Sequence, residues 1–114
     1  MDHQKLKVLH RNEMGWAARC SCCREIQFQL GNVFLRLAPE EVQAFSRSLQ
    51  HLQHCCQVRQ NLNHEIYRER PYIIRTPIHN LMFSFSEEEY QQVLNLVEMT
   101  VLLLTVEKIL NHEE

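Results

Sequence analysis

The sequence contains little glycine or proline, and it has no long apolar run. Two Gly and three Pro among 114 residues exclude collagen-like chains, proline-rich linkers and enzymes built on glycine-rich phosphate loops. The longest apolar run is Val101–Leu104, whereas a membrane helix needs about 20 apolar residues. Residues 1–13 are polar and charged and lack the apolar centre of a secretory signal, so we expect a cytoplasmic protein with reduced thiols.

The composition is typical of one globular domain over residues 1–114. Hydrophobic residues make up 45% of the chain and charged residues 23%, which is the balance of a folded protein. The charges are unevenly distributed. Residues 1–75 hold eleven Lys and Arg against seven Asp and Glu, whereas residues 76–114 hold one against seven. This polarity favours the association of two copies or a charged partner.

An internal repeat organises the chain into two similar units, about 24–56 and 72–111. They align at a shift of 48 residues, at which Asn32 matches Asn80 and the apolar alternation around both agrees. Each unit predicts strand, tight connection, strand and helix. We therefore predict an α+β fold, a mostly antiparallel sheet with two helices on one face, built from tandem β-β-α units. A hairpin around residues 12–15 is expected to precede the first unit.

The two units differ in their turns. In the first, Gly31-Asn32 predicts a two-residue turn, because both residue types tolerate positive φ. In the second, His79-Asn80 occupies the equivalent place. The strand before it, Tyr72–Ile78, contains Pro77, which cannot donate to a ladder. That strand is therefore expected at an edge or to end at the proline.

The two predicted helices, about 39–56 and 87–111, differ in their apolar faces. The first helix has one apolar stripe, whereas the second has two. One stripe of the second helix covers the sheet, and a long helix with a second apolar face is typical of a dimer seam. We therefore predict a homodimer through this stripe, and the alternative is that the first helix covers it. The stripe consists of Leu96, Met99, Leu103, Val106 and Leu110.

Three of the five cysteines lie together in Cys20-Ser21-Cys22-Cys23. The Cys20 and Cys23 pair has the C-x-x-C spacing that lets two thiolates converge on one tetrahedral ion. His51 and Cys55 are i, i+4 neighbours on the first helix, and they complete a candidate Cys₃His site for Zn²⁺. Three alternatives stay open: a pair from each of two chains bridging a dimer, partly buried reduced cysteines, and a redox dithiol.

The remaining motifs do not indicate an enzyme. The sequence contains no nucleophile elbow, Walker A, H-E-x-x-H or G-x-G-x-x-G motif. Arg68 and Arg70 lie near tyrosines, as in nucleic-acid surfaces, but Glu65, Glu69 and the net charge of −2 disfavour that partner. We therefore expect a non-catalytic interaction or regulatory module, with a thiol redox or metal-handling protein as the alternative. No protein partner is indicated.

The chain also resembles a small uncharacterised bacterial family, a domain of unknown function of about this length. The resemblance rests on Cys20-x-x-Cys23, on the hairpin 28–35 and on the segment 75–85, and it spans about residues 16–100. It implies a cytoplasmic bacterial protein without an assigned activity. Nothing in the family pattern matches Cys55-Cys56, which favours a structural pair or a bridged dimer over a four-ligand site within one chain.

Overall fold

The structure is a computed structural model that describes residues 6–60, 69–76 and 78–112. Side chains are described up to residue 51 in the first helix and up to residue 110 in the second. Its described strands form a four-stranded antiparallel meander and a separate two-stranded hairpin, which confirms the α+β prediction. The meander consists of β1 Leu6–Arg11, β2 Gly15–Cys20, β3 Ile26–Leu30 and β4 Val33–Leu37. The helix α1 Pro39–Gln60 follows, then β5 Tyr72–Arg75, β6 Met82–Phe85 and the helix α2 Glu87–His112.

The turns of the meander follow from local chemistry. In the predicted N-terminal hairpin, Asn12 and Gly15 exchange two backbone hydrogen bonds of 2.9 and 3.2 Å. Between β3 and β4, Leu30 pairs directly with Val33, so Gly31 and Asn32 form the predicted two-residue turn. Gly31 has a φ of +60°, a conformation that costs glycine little because it lacks a Cβ.

Both helices cover the same face of the meander, as the repeat predicts. The inner face of β3 and β4 is apolar and buried, and the helices place their own apolar stripes against it. Tyr90 of α2 also donates a buried hydrogen bond of 2.5 Å to the carbonyl oxygen of Leu49 in α1. The main buried side chains are Ile26, Phe28, Leu30, Leu35, Leu37, Val42, Phe45, Leu49, Tyr90, Val93 and Val97.

The second unit departs from the predicted geometry. Its first strand ends at Arg75 rather than Ile78, and Arg75 pairs with Met82, so the connection to β6 is longer than the predicted two-residue turn. The proline in the sequence at 77 has no N–H for a ladder. The Thr76 hydroxyl accepts a hydrogen bond from the Ile78 N–H and contacts the Leu81 carbonyl at 2.8 Å. The hairpin packs on the helices instead of extending the meander.

The helix α2 begins at a capping box, in which Ser86 Oγ accepts from the Glu89 N–H and the Glu89 carboxylate accepts from the Ser86 N–H. Of its second apolar stripe, Leu96 is fully buried within the chain, whereas Val106 and Leu110 are exposed. The homodimer therefore stays a prediction that concerns only the last third of α2. Neither α1 nor α2, over its described residues, has a stretch long and apolar enough to cross a membrane.

Candidate metal centre

Three cysteines lie at the connection between β2 and β3. Arg19 and Ile26 form the last strand pair, and the Cys20 N–H donates to the Glu25 carbonyl oxygen at 3.2 Å. Four residues therefore turn the chain. Arg24, the last of them, has a φ of +62°, in the left-handed region where glycine is favoured. This tight loop brings Cys22 and Cys23 back over Cys20.

The three sulfur atoms form one compact group. All three Sγ atoms lie within 4.8 Å of one another, and the Sγ atoms of Cys20 and Cys22 are 3.0 Å apart. All three residues are free thiols; Cys20 is buried, whereas Cys22 and Cys23 are exposed. Cys20 thus anchors the group at the end of a strand, and Cys22 and Cys23 face the solvent.

Hydrogen bonding divides the thiols into one acidic and one weakly acidic group. The pKa of Cys20 is lowered to about 7, first by the hydrogen bond from the Cys22 side chain and then by that from Cys23. The pKa of Cys22 is raised to about 11, mainly because its S–H donates to Cys20 and also because of desolvation and the neighbouring negative charge. Cys20 therefore reaches its thiolate form at a lower pH than an ordinary cysteine.

A cation lies beside the cysteines. Arg36 on β4 donates to one carboxylate oxygen of Glu25, from Nε at 2.9 Å and from a terminal nitrogen at 2.6 Å. The pKa of Arg36 is raised, first by the hydrogen bond and charge of Glu25 and further by negative charge at Cys23 and Cys20. Arg36 therefore interacts with thiolate charge at the loop, but its own positive charge is already paired with the carboxylate of Glu25.

The sheet separates the cysteine loop from the helices. Arg19 projects to the inner face, where its guanidinium pairs with Glu107 of α2 at 2.9 Å. Because side chains alternate along a strand, Cys20 lies on the outer face, beside its register partner Leu6. The described helices pack on the inner face, so the sulfur group borders a surface that they do not cover.

The structure brings together two of the four predicted metal ligands, Cys20 and Cys23. It adds Cys22, which the C-x-x-C spacing left out. His51 is exposed on α1 and does not belong to the three-cysteine group. The side chain of Cys55 lies outside the described residues. The complete four-ligand set therefore stays a prediction.

The signal for Cys22 was present in the sequence. A four-residue loop between paired strands brings all its residues within a few ångströms, so every cysteine in Cys20-Ser21-Cys22-Cys23 was a candidate. The spacing rule selects ligands from a single turn in which only the first and last residues face the ion. Here the Sγ atoms of all three cysteines lie within 4.8 Å of one another, so the middle cysteine also faces the group.

The model of DUF6686, a family of unknown function, matches residues 1–114. The chain belongs to DUF6686. This assignment confirms the resemblance to a small uncharacterised family. Neither the curated proteins nor the solved structures gave a match. Membership of DUF6686 therefore brings no activity with it.

Proposed function

We propose that this DUF6686 protein is a non-catalytic module that binds Zn²⁺ through Cys20, Cys22 and Cys23. The observation that carries the proposal is the convergence of three sulfur atoms within 4.8 Å. Zinc binds thiolate sulfur at about 2.3 Å in tetrahedral geometry, which separates two ligand sulfurs by about 3.8 Å. The sulfur atoms therefore need to move by only about 1 Å to bind one ion.

The exposure of the loop determines what kind of site this is. An ion held by a buried Cys20 and by exposed Cys22 and Cys23 would lie at the protein surface, with three ligands from one loop. Closed structural zinc sites have four protein ligands, whereas three-ligand sites keep an open position for water or for a ligand from outside. The proposed ion is thus accessible to exchange, which suits metal handling or regulated interaction.

The charges around the loop act on the thiolate ligands in both directions. Three thiolates around a divalent ion leave a net negative charge, which Arg36 attracts and which the carboxylate of Glu25, paired with Arg36, repels. Cys20 also reaches its thiolate form at a lower pH than an ordinary cysteine. A metal ion must displace the protons of its thiol ligands, so the lowered pKa of Cys20 favours binding at neutral pH, whereas the raised pKa of Cys22 opposes it.

Two cysteine variants distinguish this site from the four-ligand set. Zinc affinity is measured by competition with a chromophoric chelator, on protein purified under reducing conditions, and native mass spectrometry gives the ion-to-chain ratio. Cys22→Ser should lower the affinity at least tenfold, whereas Cys55→Ser should leave it unchanged. The opposite pattern would assign the site to Cys20, Cys23, His51 and Cys55. A reduced protein that binds no zinc would overturn the proposal.

The interaction part of the proposal concerns the exposed end of α2, where we propose contact with a second copy of this chain. The side chains of Val106, Ile109 and Leu110 are 42%, 56% and 61% exposed. They lie within one turn of the helix and so form one exposed apolar patch. Glu107 pairs with Lys7 and Arg19, so this end of α2 lies against the meander. An apolar, uncharged patch can pack against its own copy across a two-fold axis. Light scattering across a concentration series tests whether the mass is that of a dimer.

A further inference from the structure

We infer that Cys20 and Cys22 form a disulfide when a peroxide reaches the β2–β3 loop, and that this disulfide abolishes metal binding. The second half of this inference rests on the proposed zinc site. The first half concerns the thiols alone and holds for metal-free protein. The loop would therefore act as a site of reversible oxidation that competes with the metal for the same sulfur atoms.

The geometry selects this pair. The two Sγ atoms are 3.0 Å apart, and a disulfide bond is about 2.05 Å long, so the atoms need to approach by about 1 Å. Cys20 is fixed at the end of β2 by its hydrogen bond to Glu25. Cys22 lies in the exposed turn, so it is the residue that moves.

The reaction takes two steps at this pair. One thiol of the pair and a peroxide ROOH give a sulfenic acid and the alcohol ROH, as the peroxide O–O bond breaks and an S–O bond forms. The sulfur of the other cysteine, 3.0 Å away, then attacks the sulfenic sulfur, the S–O bond breaks, and one water leaves. Two electrons pass from the two sulfurs to the peroxide.

The consequence for the metal follows from ligand number. Once Cys20 and Cys22 are joined, Cys23 is the one thiol of the loop that can still bind an ion. A single surface thiolate is too weak a site to retain zinc. The closed ring spans only three residues, so the strand pairing beyond Cys20 is expected to persist. A dithiol reductant should restore all three ligands by exchange.

Tryptic mapping gives a direct test, because Arg19 and Arg24 flank the cysteines. Metal-free reduced protein is treated with hydrogen peroxide, its remaining thiols are alkylated, and the protein is digested. The peptide of residues 20–24 should lose the mass of two hydrogen atoms and carry one label, on Cys23. Cys23→Ser should form the link to the same extent, and Cys22→Ser should not form it.

Separate readouts distinguish the two proposals. A label on Cys20 or Cys22, or a link that forms equally in Cys22→Ser, would overturn the assignment of this disulfide. Zinc affinity is then measured before oxidation, after it, and after reduction, with an expected loss of at least tenfold that reduction reverses. Unchanged affinity in the mapped disulfide form would overturn the inferred control of metal binding. Absence of zinc binding before oxidation would overturn the proposed function, while the mapping would still decide the disulfide.

Discussion

Gly15 is the position where one added methyl group should do the most damage to the meander. It lies at the start of β2, opposite Leu30. A Cβ built on Gly15 would be 1.6 Å from the carbonyl oxygen of Gln29, whereas real Cβ contacts essentially never fall below 3.0 Å. The neighbouring atom belongs to the backbone, so a side-chain rotation cannot relieve the overlap. The Gly15→Ala change must push β2 and β3 apart.

The loss of unfolding free energy can be worked out from the packing and hydrogen bonds that are disrupted when β2 and β3 move apart. Overpacking in a well-packed region costs about 1–3 kcal/mol, and each backbone hydrogen bond that is weakened adds about 1 kcal/mol. We expect Gly15→Ala to lower the free energy of unfolding by about 2–4 kcal/mol. Urea unfolding followed by far-UV circular dichroism and by the fluorescence of Trp16, the only tryptophan, gives this value and tests two-state behaviour.

Gly31→Ala is the matched control. Gly31 has a φ of +60°, but the nearest atom to an added Cβ is the Met14 Cε at 3.6 Å, which is an ordinary contact. This change introduces backbone strain without overlap and should cost about 1–2 kcal/mol. If Gly15→Ala costs no more than Gly31→Ala, then the steric argument for the close approach of β2 and β3 is wrong.

Three further predictions concern other parts of the molecule. Tyr72 donates a hydrogen bond of 2.6 Å to Glu87 and thereby lowers the pKa of that carboxyl below 4.5. This bond stabilises the fold above about pH 4.5 and is lost as pH falls through the folded pKa, so the urea midpoints of wild type and Tyr72→Phe should converge in acid. Arg24→Gly should stabilise the protein by about 0.5–1 kcal/mol, since relief of the left-handed strain exceeds the added unfolded-state entropy. In light scattering, Val106→Glu should abolish the dimer and Lys108→Glu should not; a dimer retained in Val106→Glu would contradict the proposed interface.

The fold was predictable where short-range chemistry acts alone. The Gly31-Asn32 turn involves neighbouring residues and forms as predicted, and the Ser86 to Glu89 capping box is likewise a contact between residues three positions apart. The strand of the second unit was expected to lie at an edge or to end at Pro77, and its pairing stops two residues earlier, at Arg75, where the Thr76 hydroxyl contacts the Leu81 carbonyl instead. The apolar alternation of a sequence does not show a hydrogen bond between a loop hydroxyl and a carbonyl five residues away.

Long-range packing was the harder part to predict. The second stripe of α2 was predicted to face another chain, yet Leu96 lies in the core of its own chain. The stripe rule treats a helix as uniform along its length, whereas α2 is surrounded by other elements in its first half and exposed near its end. Whether a residue such as Val106 is covered depends on how far the sheet extends beneath the helix, which no local pattern specifies.

The position of the cysteine loop leads to a last prediction, that the fold does not depend on the metal. The buried core lies between the helices and the inner sheet face, whereas Cys20 lies on the outer face, and the three thiols span only four residues. A bound ion stabilises a protein only as far as it binds the folded state more tightly than the unfolded state. Three cysteines within four residues can also bind zinc in the unfolded chain, so this difference is small. Chelation should therefore leave the far-UV circular dichroism unchanged and lower the free energy of unfolding by less than about 2 kcal/mol. Zinc-finger domains, by contrast, unfold without their metal. An apo protein that unfolds would show that the ion also binds residues distant in sequence, as the four-ligand set with His51 and Cys55 requires.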